Sequence, residues 1–288
     1  MAYAAKEQQQ VIDIHVHGAG TYDTLTKRQD DVVHLAAIHG EHGTDVILPT
    51  VYPGSIEEMR SSMSAIKRAM SPLSAGAQIL GMHLEGPFLN PARAGALNRK
   101  NFLAPSKKDL DRLVEGFEDT VRIITIAPEL PGALAVIEHC REKGFLVQMG
   151  HSDATYEEAE EGKRAGATGI THIFNAMREF HHREPGLAGF GLMDDDMYVE
   201  VIADLVHLHP RTLKMILEMK PADRIIVVSD SVKGEGWGKG AIRGPNGVME
   251  GSGVTVMDCV KNLVTLGVHH EWALQFVTEN PRKYLESR

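Results

Sequence analysis

Six side chains that can bind a metal ion or move a proton, His15, His17, Glu85, His151, His172 and Asp230, each stand at or just past the end of a short apolar run. Imidazole nitrogens combined with carboxylate oxygens form the donor set of a hydrolytic metal centre, whose work is to polarise a carbonyl and activate a water. Each residue alone says less. His15-x-His17 occurs in a chain of 15 histidines, and His207-x-His209 is a second such pair. On a strand, positions i and i+2 face one side, so the two rings can chelate one ion. One buried, hydrogen-bonded ring and one exposed ring is the plain alternative. Glu85 ends an apolar run at His83-Leu84-Glu85-Gly86-Pro87. It is a hard oxygen ligand able to bridge two cations, with a loop salt bridge as the alternative. His83 is expected to pack inside the fold. His151 and His172 end consecutive runs, and neighbouring strand ends lie about 5 Å apart, close enough to share an ion. Asp230 can take a proton from water and return it to a leaving group, or simply cap the next segment. Arg183 offers a planar fork that matches phosphate, and a surface ion pair is equally open. His207 can orient a hydroxyl or carbonyl oxygen, or lie in solvent.

These residues need a scaffold that gathers strand ends. Eight apolar, β-rich runs at 11–15, 45–48, 78–84, 121–126, 145–149, 169–172, 199–203 and 224–228 alternate with helical segments at 31–42, 56–70, 107–116, 132–143, 156–165, 211–219 and 257–266. That alternation predicts an α/β fold with a parallel sheet. No glycine-rich dinucleotide fingerprint follows the first run, so a closed (β/α)8 TIM-type barrel fits better than an open doubly wound sheet. The 288 residues fill one such barrel, and a single domain over 1–288 is expected. Residues 86–105 form a long excursion. Residues 234–253 are glycine-rich and predict a loop or hairpin around Pro245-Asn246-Gly247.

A formal charge of −9 argues against a general nucleic-acid or membrane-surface binder. Two cysteines, Cys140 and Cys259, are too few for a disulfide scaffold. The opening MAYAAKEQQQ lacks the apolar core of a signal peptide, and a cytoplasmic protein is expected.

Several stretches together resemble the N-acetylglucosamine-6-phosphate deacetylases of the amidohydrolase superfamily. They are Asp13-Ile14-His15-Val16-His17-Gly18, His83-Leu84-Glu85-Gly86-Pro87-Phe88-Leu89, Ala127-Pro128-Glu129 and Gly150-His151-Ser152-Asp153-Ala154. The series continues with Thr171-His172-Ile173-Phe174-Asn175-Ala176-Met177, His182-Arg183-Glu184-Pro185-Gly186 and Asp230. The resemblance implies hydrolysis of a linear amide, releasing acetate from an amino-sugar phosphate, by a homodimer with one or two divalent ions. Glu85, His151 and His172 would hold the main ion. His15 and His17 would hold a second where there are two, with Glu85 bridging. Asp230 would be a ligand and the general acid/base. Asn175, Ala176 through its backbone, His182, Arg183 and His207 would engage the sugar phosphate. The mixed ligands suit Zn²⁺ first, then Fe²⁺, Co²⁺ or Mn²⁺.

Three features depart from the resemblance. The companion β-sandwich of such enzymes is expected to be largely absent. Leu97, in Gly95-Ala96-Leu97-Asn98, stands where the family places a substrate-contacting histidine, and Ser231-Val232-Lys233-Gly234 differs from the usual run after the aspartate. An amidohydrolase for another N-acyl or cyclic amide substrate, or a non-catalytic sugar-phosphate binder, stays open.

Overall fold

Strand β1 (Ile12–Val16) starts a parallel sheet that runs through β2 (Val46–Val51), β3 (Met82–Glu85), β4 (Val121–Ile126), β5 (Leu146–Met149), β6 (Gly169–Ile170), β7 (Tyr198–Ile202) and β8 (Ile225–Val228), in that spatial order. The structure is a computed structural model and describes residues 9–70, 76–235, 237–238, 240–244 and 247–287. Helices α1 (Gln29–Glu41), α2 (Ile56–Ala69), α3 (Lys107–Val114), α4 (Ala133–Glu142), α5 (Tyr156–Ala165), α6 (Gly186–Met193), α7 (Pro210–Met219) and α8 (Val256–Thr265) lie between and after the strands. Capping boxes start α2, where Ser55 pairs with Glu58, and α5, where Thr155 pairs with Glu158.

Alternate strand residues serve two apolar layers. Val46, Leu48, Ile123, Leu146, Ile202, Ile226 and Val228 join one cluster inside the barrel. Ile47, Val51, Ile124, Ile126, Val147, Val199 and Val227 join the layer beneath the helices. Both faces of each strand are therefore buried, which is why the runs read as continuously apolar. Helix α9 (His270–Gln275) leads to α10 (Glu279–Glu286), whose Tyr284 and Leu285 close the floor of the interior cluster.

Buried Asn280 secures that floor. Its Nδ2 donates to Ala222 O at 2.7 Å and Ile225 O at 2.6 Å, and its Oδ1 accepts from Gln275 at 3.1 Å. Asn280→Ala would strand two carbonyls, and a loss of about 2 kcal/mol is expected in urea unfolding. A midpoint equal to wild type would show that the floor is held by apolar packing alone.

β8 and β1, the two ends of the strand order, share no regular ladder. A few bonds at the upper rim join them: Asp230 N to His15 O at 3.1 Å, and His17 N and Gly18 N to Ser231 O, both at 2.8 Å.

The expected run 78–84 is broken into a short strand, Gln78–Ile79, and β3. A Cβ at Gly81 would lie 2.6 Å from Thr120 O, so the chain passes too close there for any other residue. The expected sixth strand ends two residues early, because Thr171 and His172 leave the ladder to enter the rim. The predicted hairpin is present as Ala241–Arg243 paired antiparallel with Met249–Ser252, while Pro245 and Asn246 of its expected turn lie outside the described residues. Most of the opening MAYAAKEQQQ, residues 1–8, also lies outside them. No second sheet domain occurs among the described residues, and none of their helices is long and apolar enough to cross a membrane.

Candidate metal centre

The upper rim of the barrel brings the six proposed chemical side chains together. His15 and His17 come from the end of β1, Glu85 from β3, His151 and His172 from the segments after β5 and β6, and Asp230 from the segment after β8. Three of them take left-handed backbone, His151 at φ 47°, His172 at φ 29° and Asp230 at φ 48°. Such φ values are costly outside glycine, roughly 1–3 kcal/mol each, and recur where function over-determines the backbone. Here each follows a strand directly and turns its side chain across the barrel mouth.

Three groups of potential ligands lie here: Glu85 with His151 and His172, His15 with His17 and Asp230, and, deeper in the barrel, His15 with His83 and Glu200; the first two face the rim. Glu85 stands between them. Its Oε1 lies 3.1 Å from His151 Nε2, 3.0 Å from His172 Nε2 and 3.6 Å from His15 Nε2, and its Oε2 lies 3.4 Å from His17 Nε2. Asp230 Oδ1 lies 3.4 Å from His15 Nε2 and 3.3 Å from His17 Nε2.

The outer ring nitrogens decide what these groups can hold. His17 Nδ1 faces Thr50 O at 3.1 Å and His151 Nδ1 faces Arg93 O at 3.0 Å, so each must carry its proton there. His15 Nδ1 lies 2.9 Å from the Glu200 carboxylate, with the same consequence. In the neutral rings three Nε2 lone pairs therefore point inward, at carboxylate oxygens and at one another, with His15 and His17 Nε2 only 3.0 Å apart. Lone pairs facing lone pairs repel, and a cation relieves that repulsion. The donors fit one or two divalent ions.

Without a cation, a proton takes its place on His15. Burial alone would push His15 down, but Glu200, Asp230 and Glu85 drive it up to about 10. Burial would raise Glu85, yet His151, His172 and His17 hold its carboxyl well below the usual range. His83 behaves differently. Burial pushes it down to about 3, and its nitrogens are satisfied by Ile14 O at 3.1 Å and Thr125 Oγ1 at 2.8 Å. It packs inside the barrel, as expected from sequence.

Two residues with no role in the sequence reading turn out to organise the centre. Glu200 on β7 binds His15 Nδ1 and also accepts from His172 N at 3.3 Å. Its only trace in the sequence is a lone carboxylate in an otherwise apolar strand. Glu129, in the Ala-Pro-Glu stretch, accepts from Asn90 Nδ2 at 2.9 Å, Asp153 N at 2.6 Å and Ser152 Oγ at 2.7 Å. It thus pins the turn that carries His151 to the loop after Glu85. Glu129→Ala is expected to weaken metal binding about 10–100-fold, as loss of ligand support commonly does. Chelator competition would measure it, and unchanged affinity would count against the clamp.

A cavity of about 210 Å³ opens over the cluster, and Leu97, Asn175, Ala176, His207 and Glu250 complete its wall. Half-buried His207 is oriented by Asp204, whose Oδ2 lies 2.8 Å from its Nδ1. His182 and Arg183 are not in that wall. Glu184 anchors their loop by accepting from Tyr156 N at 2.9 Å and Gly186 N at 3.1 Å, which leaves both side chains exposed and bonded to each other at 2.9 Å.

Residues 11–286 match the model of the amidohydrolase family. The chain belongs to the amidohydrolase family. This amidohydrolase is 33% identical over 270 residues to an N-acetylglucosamine-6-phosphate deacetylase of Lysinibacillus sphaericus, covering 88% of this chain and 69% of the relative. It is 31% identical over 289 residues to an N-acetylgalactosamine-6-phosphate deacetylase of Escherichia coli O157:H7, covering 95% of this chain and 76% of the relative. Among solved structures, a mutant N-acetyl-D-glucosamine-6-phosphate deacetylase from Mycobacterium smegmatis, in complex with N-acetyl-D-glucosamine-6-phosphate, superposes with a TM-score of 0.90 at 27% identity. That match covers 99% of this chain and 82% of the other. Amidohydrolase membership implies a divalent metal, and the rim supplies side-chain groups able to bind one.

Proposed function

We propose that this amidohydrolase removes the acetyl group of N-acetylglucosamine-6-phosphate, giving acetate and glucosamine-6-phosphate. The observation that carries the reading is the convergence of imidazole lone pairs and carboxylates around Glu85, beside Asp230, at the base of a small cavity. Glu85, His151 and His172 would hold one ion, and His15, His17 and Asp230 a second that shares Glu85. Zn²⁺ is the first choice, and Fe²⁺, Co²⁺ or Mn²⁺ also suit these donors. When bound, such an ion acts as a Lewis acid toward the amide carbonyl and the attacking water.

The chain's own residues do the rest. The Asp230 carboxylate accepts the water proton at Oδ and returns it to the amine nitrogen as the carbon–nitrogen bond breaks, so that a neutral amine leaves. Glu200 keeps the His15 proton on Nδ1, and Thr50 and Arg93 do the same for His17 and His151. With Nδ1 turned to Asp204, the neutral His207 ring keeps an Nε2 lone pair that can accept from a sugar hydroxyl. Asn175 and Ala176 line the same cavity.

The described lining contains no Lys or Arg. The cation for the phosphate must come from outside it, and Arg183, paired with no carboxylate among the described residues, fits that role. Arg183→Ala is expected to raise KM for the phosphorylated substrate about tenfold to a hundredfold, with a smaller change in kcat. An unchanged KM would remove the assignment. We also assign the enzyme to the cytoplasm and to a homodimer.

The deciding experiment is acetate release by metal-loaded protein from N-acetylglucosamine-6-phosphate, its galactosamine epimer and the unphosphorylated sugar. Release that needs both metal and phosphate supports the reading, and preference between epimers names the sugar. No release from folded, metal-loaded protein would overturn it.

A further inference from the structure

A second cavity, of about 260 Å³, adjoins the first and shares His17, Ala96, Leu97 and Glu250 with it. Asp23, Tyr52, Val232 and Lys233 complete its wall. Asp230, Glu85 and His207 do not line it, so it meets the ligand cluster through His17 alone. Its polar end is well defined. The Tyr52 hydroxyl lies 3.0 and 3.1 Å from the two Asp23 oxygens, and Lys233 Nζ lies 2.8 Å from Asp23 Oδ2. The Tyr52 ring stands edge-on to His17, with centroids 5.5 Å apart.

An amide substrate has two arms. Its nitrogen must reach Asp230 to be protonated, which places the amino sugar in the first cavity. The acyl arm leaves the carbonyl carbon on the other side. The second cavity, reached past His17 and not lined by Asp230, is the neighbouring space open to that arm. We infer that it is an acyl-chain subsite admitting acyl groups longer than acetyl, an inference that rests on the amide-hydrolase reading above. A methyl is about the size of a water molecule, roughly 30 Å³, so acetyl alone leaves most of this space unfilled. Leu97 stands on the wall that the two spaces share. Two carboxylates, Asp23 and Glu250, face one ammonium, Lys233, leaving a net negative wall. Such a wall favours a neutral or ammonium-ended chain and repels a carboxylate-ended one.

The test compares kcat/KM for glucosamine-6-phosphate carrying acetyl, propanoyl, butanoyl, glycyl and succinyl groups. Propanoyl, butanoyl and glycyl are expected within about tenfold of acetyl, and succinyl at least a hundredfold below it. Leu97→Ala should raise the butanoyl-to-acetyl ratio, and Val232→Phe should lower it tenfold or more. A ratio measured within one protein does not depend on how much of that protein is folded. Acetyl release with propanoyl and butanoyl cut more than a hundredfold, in both wild type and Leu97→Ala, overturns the subsite and leaves the deacetylase reading standing. No release from any of the five overturns both.

Discussion

Asp230→Asn is expected to lower kcat by about 10²–10⁴-fold while the ion held by Glu85, His151 and His172 stays bound. The amide is nearly isosteric with the carboxylate and keeps an oxygen toward His15 and His17, but it cannot accept a proton. Burial would raise the Asp230 carboxyl, whereas His15, His17 and His172 pull it down to about 2. The group is therefore ionised at neutral pH and ready to act as a base. Turnover measured beside elemental analysis of the same sample separates loss of chemistry from loss of the ion. Wild-type rates in the variant would remove Asp230 from the proton path.

Glu85→Gln should strike the centre itself. Support residues around a ligand commonly contribute 10–100-fold to metal affinity, so a carboxylate placed between two ligand groups should contribute more than about 100-fold. Activity should fall with occupancy. Retention of two tightly held ions by the variant would exclude a bridging role. The direction with pH follows from the imidazoles. His15 and His172 both take protons more readily in the folded chain than in solution, because burial's opposing effect is outweighed by the carboxylates around them. Loading a cation must displace those protons, so apparent affinity should rise with pH and fall on acidification. An affinity independent of pH would contradict the ligand assignment for both rings.

The sequence made the rim legible because a parallel barrel strand leaves so few places for a polar residue. Its faces are committed to apolar layers, and a His or carboxylate at a strand's end is conspicuous. Glu200 escaped notice for the converse reason. It sits within β7, where side chains alternate between the helix layer and the barrel interior, and a single inward carboxylate reads as an ordinary interruption. Helix α6 was missed as well. Its sequence Gly-Leu-Ala-Gly-Phe-Gly-Leu-Met has no polar face to give a 3.6-residue period, and nearly all of it is buried. A Cβ at Gly191 would come within 2.4 Å of the Ile170 Cδ1 methyl, so that side chain would have to move to admit any other residue. The exposure of Arg183 lay beyond reach too, because it depends on how Glu184 ties its loop to two backbone amides.

The barrel's ends meet in a seam with no ladder of its own. The rim bonds across it are made by His15, His17 and Asp230 or by their chain neighbours. An ion held by those three side chains would act as a clasp between the first and last strands, drawing shut a ring that the backbone alone leaves barely fastened. Completing the barrel and arming its chemistry would then be a single event, and a chain without its ion would be a hoop with the buckle undone.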